Sequence, residues 1–296
     1  MKDTGHHSFS DMRVKKQPVH LFYAINSTSP KGPFTISAGH YGVSKGFLYR
    51  QKITSDEEEW LDNVANIINA LDSESSHILV YIHGFLAENP WFASLSGYRL
   101  HKEIFDLPIH DVNVVLSLLW DSGLNYGQNR QLATEKGRQF RSVVEKLNQR
   151  AKSLGKQPAF SFLLHSMGNI VFEGLVEGIK KENKLWHTRQ VFCCAADLKS
   201  DVFDGGLQHV PEIAGDVHVL FHAEDKTLRV ANMIQRFRRL GIYGREDENK
   251  AKNIHSLDAT FISGDDMAVG SRFSHHRYFY GSKKVVNYIN KWLSTR

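Results

Sequence analysis

The sequence predicts an α/β protein built on one mainly parallel sheet with helices on both faces. First, apolar segments typical of strands alternate along the chain with segments whose apolar residues recur at helical spacing. Second, several strand segments are apolar without interruption, as expected of strands buried between two layers of helices. Third, polar residues directly follow those strands, at the edge of a parallel sheet where ligands bind. The 296 residues, 41% of them hydrophobic, suffice for a single domain of this kind.

The composition is that of a globular protein of the cell interior. The net charge of +5 is modest and spread along the chain, which favours a solvated surface over nucleic-acid binding. No apolar run reaches the ~20 residues that span a bilayer, and the first residues lack the apolar core of a secretory signal. The two adjacent cysteines, Cys193 and Cys194, are expected to be buried in a strand and unbridged. We therefore expect a cytoplasmic location.

The first part of the chain predicts a leader, two β segments and one helix. Residues 1–18 are expected to form a flexible leader, and the folded domain is expected to span residues 19–296. Apolar, β-prone residues predict a strand at 19–26 and a second β-rich stretch at 41–53. A capping box with acidic residues in the first turn opens a helix at 55–71 whose apolar positions share one face.

The rest of the chain alternates buried strands with helices. Strands are predicted at 77–83, 112–120, 160–165, 190–196, 216–223 and 254–262. Helices are predicted at 90–105, 128–153, 167–184, 227–240 and the C-terminal end. In the segment 227–240 the apolar residues Val230, Met233, Ile234 and Phe237 are expected to pack on the core, with the arginines in solvent. The competing hypothesis makes this segment a lid that contacts anionic lipid.

The residues around Ser166 have the pattern of a strand, a sharp turn and a helix. An apolar segment ends at His165, and Gly168 follows the serine by two positions before helical spacing begins. Such a turn presents the serine hydroxyl above the strand ends, beside helix amides that favour negative charge. We therefore interpret Ser166 as a nucleophile. Leu164 departs from the usual G-x-S-x-G, and the alternative is an ordinary strand-to-helix turn.

A serine nucleophile needs a histidine base and a carboxylate that holds this base in one tautomer. In an elbow of this type the acid and then the base follow the serine along the chain. Asp225 is favoured as the acid over Asp197 because it follows the second strand after the serine, although either could be a helix cap. His276 is favoured as the base over His275 because it shortly precedes the final helix.

Two backbone amides are expected to stabilise the oxyanion that forms when the serine attacks a carbonyl. The Met167 amide follows the nucleophile, and the Phe85 amide lies in a loop that Gly84 allows to turn sharply. His83 is expected to brace this loop, and His165 is expected to be structural. The substrate pocket is predicted to be lined by His83, Gly84, Trp120 and Asp121.

Six short motifs, taken in order, resemble the α/β-hydrolase superfamily. More narrowly, they resemble a largely bacterial α/β-hydrolase family catalogued as a domain of unknown function. These motifs occupy residues 81–85, 119–123, 165–169, 195–197, 225–228 and 276–279. The resemblance covers roughly residues 76–292 and implies the α/β-hydrolase fold and a Ser-Asp-His hydrolase, with the substrate unnamed. Asp121, where relatives usually carry proline, departs from the family at the pocket mouth.

These features together predict a serine hydrolase that cleaves an ester or thioester through an acyl-enzyme on Ser166. The expected partner is a small-molecule or lipid ester, and no cofactor or nucleic acid is expected. No metal is expected either, because His218 and His222 lie four residues apart on a strand, ~13 Å from each other. The alternatives are a lipase or phospholipase with peripheral membrane contact, a binding module with an idle triad, and an amide hydrolase. The oligomeric state stays open.

Overall fold

A nine-stranded sheet lies at the centre of the structure. The computed structural model describes residues 19–26, 35–44, 47–54, 56–71, 76–85, 111–246, 251–262 and 275–295. The expected leader at 1–18 and the helix expected at 90–105 lie outside these described residues. The described part contains every other element that the sequence predicts.

Seven parallel strands and an antiparallel hairpin make up this sheet. The strands are β1 (Val19–Asn26), β2 (Thr35–Ser44), β3 (Phe47–Thr54), β4 (His77–Ile82), β5 (Val114–Trp120), β6 (Ala159–His165), β7 (His187–Cys194), β8 (Ala214–Phe221) and β9 (Ile254–Asp258). Their order across the sheet is β3-β2-β1-β5-β4-β6-β7-β8-β9. In this spatial order, each pair of neighbouring strands from β1 across to β9 is parallel. Strand β2 pairs antiparallel with β1 and with β3. The predicted mainly parallel sheet is confirmed, and the β-rich stretch at 41–53 is part of the hairpin.

Helices cover both faces of the sheet, as predicted. They are α1 (Glu57–Asn69), α2 (Tyr126–Ser153), α3 (Gly168–Val176), α4 (Val210–Ile213), α5 (Lys226–Ile234), α6 (Leu240–Tyr243), α7 (Tyr278–Gly281) and α8 (Lys283–Leu293). Helices α1, α2 and α3 bury apolar residues against one face, and α7 and α8 bury theirs against the other. The cysteines of β7 are buried and unbridged, as expected.

The helix that follows Ser166 is shorter than predicted. Its apolar pattern suggests helix to residue 184, but α3 ends at Val176. Gly178 has a φ of 74°, in the left-handed region that commonly ends helices and that glycine adopts without steric cost. The final strand is shorter too, since β9 ends at Asp258 rather than at residue 262.

The segment 227–240 does not form one helix, because α5 ends at Ile234 and α6 begins only at Leu240. The side chain of Arg239 folds back on the end of α5 and is fully buried there. Its guanidinium donates hydrogen bonds to the carbonyl oxygens of Ala231 and Gln235, at 3.0 and 2.8 Å. Because this arginine supplies donors for carbonyls at the helix end, the chain can leave the helix without losing those bonds.

Helices α2 and α3 approach so closely that a glycine is needed on each of them. A Cβ atom on Gly137 of α2 would lie 2.0 Å from the carbonyl oxygen of Val171, and one on Gly174 of α3 would lie 2.1 Å from that of Thr134. Both clashes involve backbone atoms, so a side-chain rotation cannot relieve them. Since α3 starts directly after the serine turn, this contact fixes the helix on which the turn depends.

We expect Gly137→Ala to lower the free energy of unfolding by about 3 kcal/mol, because the added methyl group forces the two backbones apart. Gly127 lies in the same helix, and a Cβ atom there would meet nothing closer than 3.6 Å. The matched variant Gly127→Ala is expected to be neutral or to stabilise by about 0.5 kcal/mol. Urea denaturation of both variants and the wild type measures the difference. Equal stabilities would contradict the close contact.

A buried histidine anchors the C-terminal helix to the sheet. His218 of β8 is fully buried, with its Nε2 2.8 Å from Gln190 Oε1 and its Nδ1 3.0 Å from the Tyr288 hydroxyl. Its ring also packs on Trp292 of α8, with 4.6 Å between the ring centroids. Burial, and secondarily the nearby His255, lowers the pKa of His218 to about 3.

This depressed pKa predicts a loss of stability in acid. Below the ordinary histidine pKa of about 6.5 the unfolded chain binds a proton at this position, whereas the folded protein does not until about pH 3. Between about pH 7 and about pH 4.5 His218 should therefore remove about 2–3 kcal/mol of unfolding free energy. His218→Gln should lower stability at neutral pH but flatten this dependence, measured by urea denaturation across the range. Parallel stability curves for variant and wild type would refute the assignment.

Candidate active site

The turn between β6 and α3 holds Ser166 in a strained backbone conformation. Its φ is 53°, in the left-handed region that residues with side chains seldom adopt. The turn fits closely under the end of β4. A Cβ atom on Gly168 would lie 2.3 Å from the carbonyl oxygen of Ile82, and one on Gly84 would lie 2.7 Å from the Cβ of Ser166. Both glycines are therefore required by close approach.

Hydrogen bonds from two directions hold the backbone of this turn. The Ser166 amide donates to the carbonyl oxygen of Cys194 at 3.0 Å, and the Ser166 carbonyl accepts from the Asp197 amide at 3.2 Å. The same carbonyl accepts from the amide and side-chain nitrogen of Asn169, at 3.2 and 2.9 Å. The strained serine is thus fixed by β7 and by the first turn of α3. No sequence pattern indicated that Asn169 holds the Ser166 carbonyl.

Asp225 and His276 form a buried pair that is far apart in sequence. The Nδ1 of His276 lies 2.7 Å from Oδ2 of Asp225, and the aspartate is fully buried. The other carboxylate oxygen accepts from the Leu228 amide at 2.9 Å and so caps α5. The helix-cap hypothesis and the acid hypothesis for Asp225 are therefore compatible, because the two oxygens have separate partners.

Asp197, the other candidate acid, belongs to a different cluster. Its carboxylate lies 2.8 Å from the Nε of the buried Arg239 and 2.7 Å from a guanidinium nitrogen of Arg130. The Tyr126 hydroxyl donates to the same carboxylate at 2.5 Å. Burial, and then the charge of Asp197, raises the pKa of this tyrosine, which keeps it protonated as a donor. The carboxylate thus has two cations and a hydroxyl as partners, and no sequence pattern indicated this cluster.

The neighbouring histidine His275 has different surroundings from His276. Its backbone has a φ of 51°, and its Nε2 lies 3.8 Å from a carboxylate oxygen of the exposed Glu224. Its ring lies against that of His222, with 4.6 Å between the centroids. His255, at the start of β9, lies with its Nε2 2.8 Å from a carboxylate oxygen of Asp216.

His165 packs directly on His276. The ring centroids lie 4.7 Å apart, and the Nε2 of His165 is 3.2 Å from the backbone carbonyl oxygen of His276. Burial, and secondarily the adjacent His276 and Arg277, lowers the pKa of His165 well below its ordinary value. A neutral His165 with its proton on Nε2 can donate to that carbonyl and adds no positive charge beside His276.

His83 and Trp120 brace the loop that follows β4. The Nδ1 of His83 lies 2.7 Å from the carbonyl oxygen of Gly84, and its Nε2 accepts from the backbone amide of Trp120 at 3.1 Å. The indole nitrogen of Trp120 donates to the His83 carbonyl at 3.1 Å, and the two rings stack. Trp120 is fully buried and contacts this loop. Its predicted place in the pocket lining stays a prediction.

The two predicted oxyanion amides belong to the two segments that approach each other at the serine turn. Phe85 follows Gly84, whose backbone approaches the serine, and Met167 directly precedes α3. Within the described part of the chain, no hydrogen bond engages either backbone amide. Asp121 is partly exposed after β5, where its backbone amide donates to Ile25 at 3.3 Å.

A second Ser-His-Asp arrangement occurs at the opposite edge of the sheet. The Nε2 of His77 lies 2.8 Å from the Ser161 hydroxyl, and its Nδ1 lies 2.8 Å from a carboxylate oxygen of Asp111. Ser161 lies within β6 and is fully buried, and its hydroxyl also accepts from the Gln190 amide at 3.3 Å. This group therefore cross-links the starts of the strands and has no access to a substrate.

Among the described residues, no group of three or more histidine, cysteine, aspartate or glutamate side chains has an arrangement suited to a metal ion. None of the helices in these segments combines the length and the apolar character needed to cross a bilayer.

One family of known sequences matches most of the chain. The family model described as "Alpha/beta hydrolase of unknown function (DUF900)" matches residues 60–296. This match includes all the residues described above for the serine turn, the Asp225–His276 pair and the loop after β4. It is wider than the region of roughly 76–292 over which the motifs suggested a resemblance. No curated protein matches the sequence.

The contacts of the two aspartates predict that the same substitution costs much more stability at Asp197 than at Asp225. Asp197→Asn leaves the buried Arg239 without its full counter-charge and should lower the free energy of unfolding by about 3 kcal/mol or more. Asp225→Asn keeps an oxygen that can cap α5 and should cost about 1 kcal/mol or less. Urea denaturation at neutral pH compares them. Equal losses would show that the division between the two carboxylates is wrong.

Proposed function

This chain belongs to the alpha/beta hydrolase family of unknown function (DUF900), and we propose that it is a serine hydrolase with Ser166 as nucleophile. The observation that carries the proposal is the 2.7 Å bond between Asp225 and His276, whose ring packs on His165, the residue before a serine with a φ of 53°. A strained serine turn, a histidine and a buried carboxylate are the three parts that such catalysis requires. The proposed substrate is an ester or thioester.

The bond from Nδ1 of His276 to Asp225 supports a defined direction of proton transfer. It holds the proton on Nδ1 and leaves Nε2 as the basic nitrogen. In the first step the Ser166 oxygen bonds to the acyl carbon while its proton passes to Nε2. The imidazolium then gives this proton to the leaving alcohol or thiol as the bond to the acyl carbon breaks. Water, activated by the same nitrogen, releases the acid and restores the serine.

The surroundings of the pair favour this charge transfer. The imidazolium that forms on His276 lies beside the Asp225 carboxylate, whereas the neighbouring His165 stays neutral because its pKa is depressed. A second positive charge in contact with His276 would oppose proton uptake. For the oxyanion, the amides of Phe85 and Met167 are the proposed donors, since neither has a partner in the described part of the chain.

The experiment is covalent labelling with a fluorophosphonate, followed by intact mass. The wild type should gain one adduct, and Ser166→Ala should gain none, because the probe reacts with an activated serine. Ser161→Ala is the matched control: it removes a serine that is linked to another histidine and aspartate, His77 and Asp111, but is fully buried, and it should label like the wild type. Asp225→Asn should lower the labelling rate by about 10⁴-fold because His276 loses the preferred tautomer.

Each outcome decides between functions. Labelling that persists in Ser166→Ala would exclude Ser166 as the nucleophile. A folded wild-type protein that gains no adduct would favour a binding module with an idle triad. If labelling follows the prediction, a series of ester, thioester and amide substrates then separates the esterase from an amide hydrolase.

A further inference from the structure

Helix α5 exposes the apolar residues that its sequence led us to expect in the core. Val230 is 60% exposed, Met233 is 79% exposed and Ile234 is 61% exposed, whereas Leu228 and Ala231 are buried. The three exposed residues recur at helical spacing and so share one face. The expectation that this apolar side packs on the core is therefore wrong, and a contiguous apolar strip faces solvent.

The segment that carries this strip is rich in basic residues and has no acidic ones. Residues 226–239 contain five basic residues and no aspartate or glutamate. Lys226, Arg229 and Arg236 are exposed, and no carboxylate of the described residues lies within ion-pair distance of them. Arg239 is instead buried against Asp197, which corrects the expectation that all the arginines are solvated. The outward face thus combines an apolar strip with exposed cations.

This face lies beside the proposed catalytic acid. Helix α5 begins directly after Asp225, so Met233 is about 12 Å from it along the helix axis. The turn before the helix is held by Arg229, which donates to the Ala223 carbonyl at 2.8 Å, and by Thr260, which accepts from the Ala223 amide at 2.8 Å. Phe261, the next residue, is 86% exposed. Apolar side chains therefore border the turn on both sides.

We propose that the outward face of α5, with Phe261, binds the surface of an anionic lipid bilayer. Apolar side chains with adjacent lysine and arginine are the combination that inserts among lipid headgroups while pairing with their negative charge. The bilayer would present a lipid ester beside Ser166. This last role rests on the proposed function, but binding to the membrane does not require catalysis.

The composition of the face favours a bilayer over a protein partner. The exposed strip consists of aliphatic side chains and a methionine, without the tyrosine or tryptophan that anchor most protein interfaces. To bind an anionic bilayer, a protein face needs apolar side chains that insert and cations that pair with the headgroups, and this face has both. A second copy of the chain would bring the same positive charge against this face, which opposes such a dimer.

The test measures co-sedimentation of the full chain with vesicles. Vesicles of phosphatidylcholine alone are compared with vesicles of phosphatidylcholine and phosphatidylserine in equal parts. We expect binding to the second kind only, and weakening as salt is raised. Changing Met233 and Ile234 together to Ser should reduce binding about tenfold or more through lost apolar burial. Lys226→Gln and Arg236→Gln should each reduce it about fivefold.

The matched control variants change residues around the end of α2, before β6, at the end of the sheet opposite the candidate active site. Leu154→Ser removes an apolar side chain that is 40% exposed after α2, and Lys152→Gln removes an exposed cation there. Neither should change vesicle binding. All the α5 variants should keep the fluorophosphonate labelling rate measured without vesicles, because the changed side chains are exposed and none has a hydrogen bond or ion pair with Ser166, Asp225 or His276 among the described residues. The Ser166→Ala variant should bind vesicles like the wild type, which separates this proposal from the proposed function.

Three results would overturn the proposal. The first is the absence of binding to the anionic vesicles. The second is binding that the α5 variants and the matched control variants reduce equally. The third is a dimer in sedimentation velocity that the Met233 and Ile234 change converts to monomer, since the face would then be occupied by a second copy.

Discussion

The close approach of the serine turn to the end of β4 is the constraint on which the site depends. The backbone of Gly168 lies where a methyl group would be 2.3 Å from the Ile82 carbonyl, and Gly84 faces the Cβ of Ser166 at a similar separation. A turn in this position cannot relax into a roomier conformation, because β4 is the neighbouring strand. The φ of 53° at Ser166 is therefore maintained by the sheet itself.

The two aspartates after β7 and β8 have similar sequence settings and different physical roles. Asp197 holds the serine turn through its backbone amide, and its carboxylate is neutralised by Arg239 and Arg130. Among the described residues, Asp225 has no such cation, and its carboxylate instead bonds to a histidine. A carboxylate already paired with two guanidinium groups would be a weak partner for an imidazolium. The distribution of arginines thus determines which aspartate can serve as the acid.

Most of the strands and helices could be predicted from the sequence, because the spacing of apolar residues indicates which side chains are buried. The uninterrupted apolar runs of β4 and β5 predicted buried parallel strands, and the pattern around Ser166 predicted the strand, turn and helix. The predictions that failed have a common cause. Periodicity predicts that a helix has an apolar face but cannot tell what lies opposite it. Hence Met233 was expected in the core, and the buried position of Arg239 was not foreseen.

Hydrogen bonds between residues that are distant in sequence could not be predicted either. No local pattern could indicate that Trp120 donates to the carbonyl of His83 or that Ser161 meets His77. The second of these pairs belongs to a Ser-His-Asp group whose serine is fully buried within a strand. Ser166, by contrast, lies on a strained turn at the carboxyl ends of the strands. Position in the sheet, rather than residue type, is what distinguishes them.

Helix α5 joins these features, since each of its ends serves a different part of the site. Its first residues are capped by the carboxylate that also bonds His276, and its last carbonyls bind the arginine that neutralises Asp197. Asp197 in turn donates its amide to the Ser166 carbonyl. A displacement of α5 would therefore disturb the acid and the serine turn together. The exposed face of α5 is the side from which an outside partner could act on both, without contacting either directly.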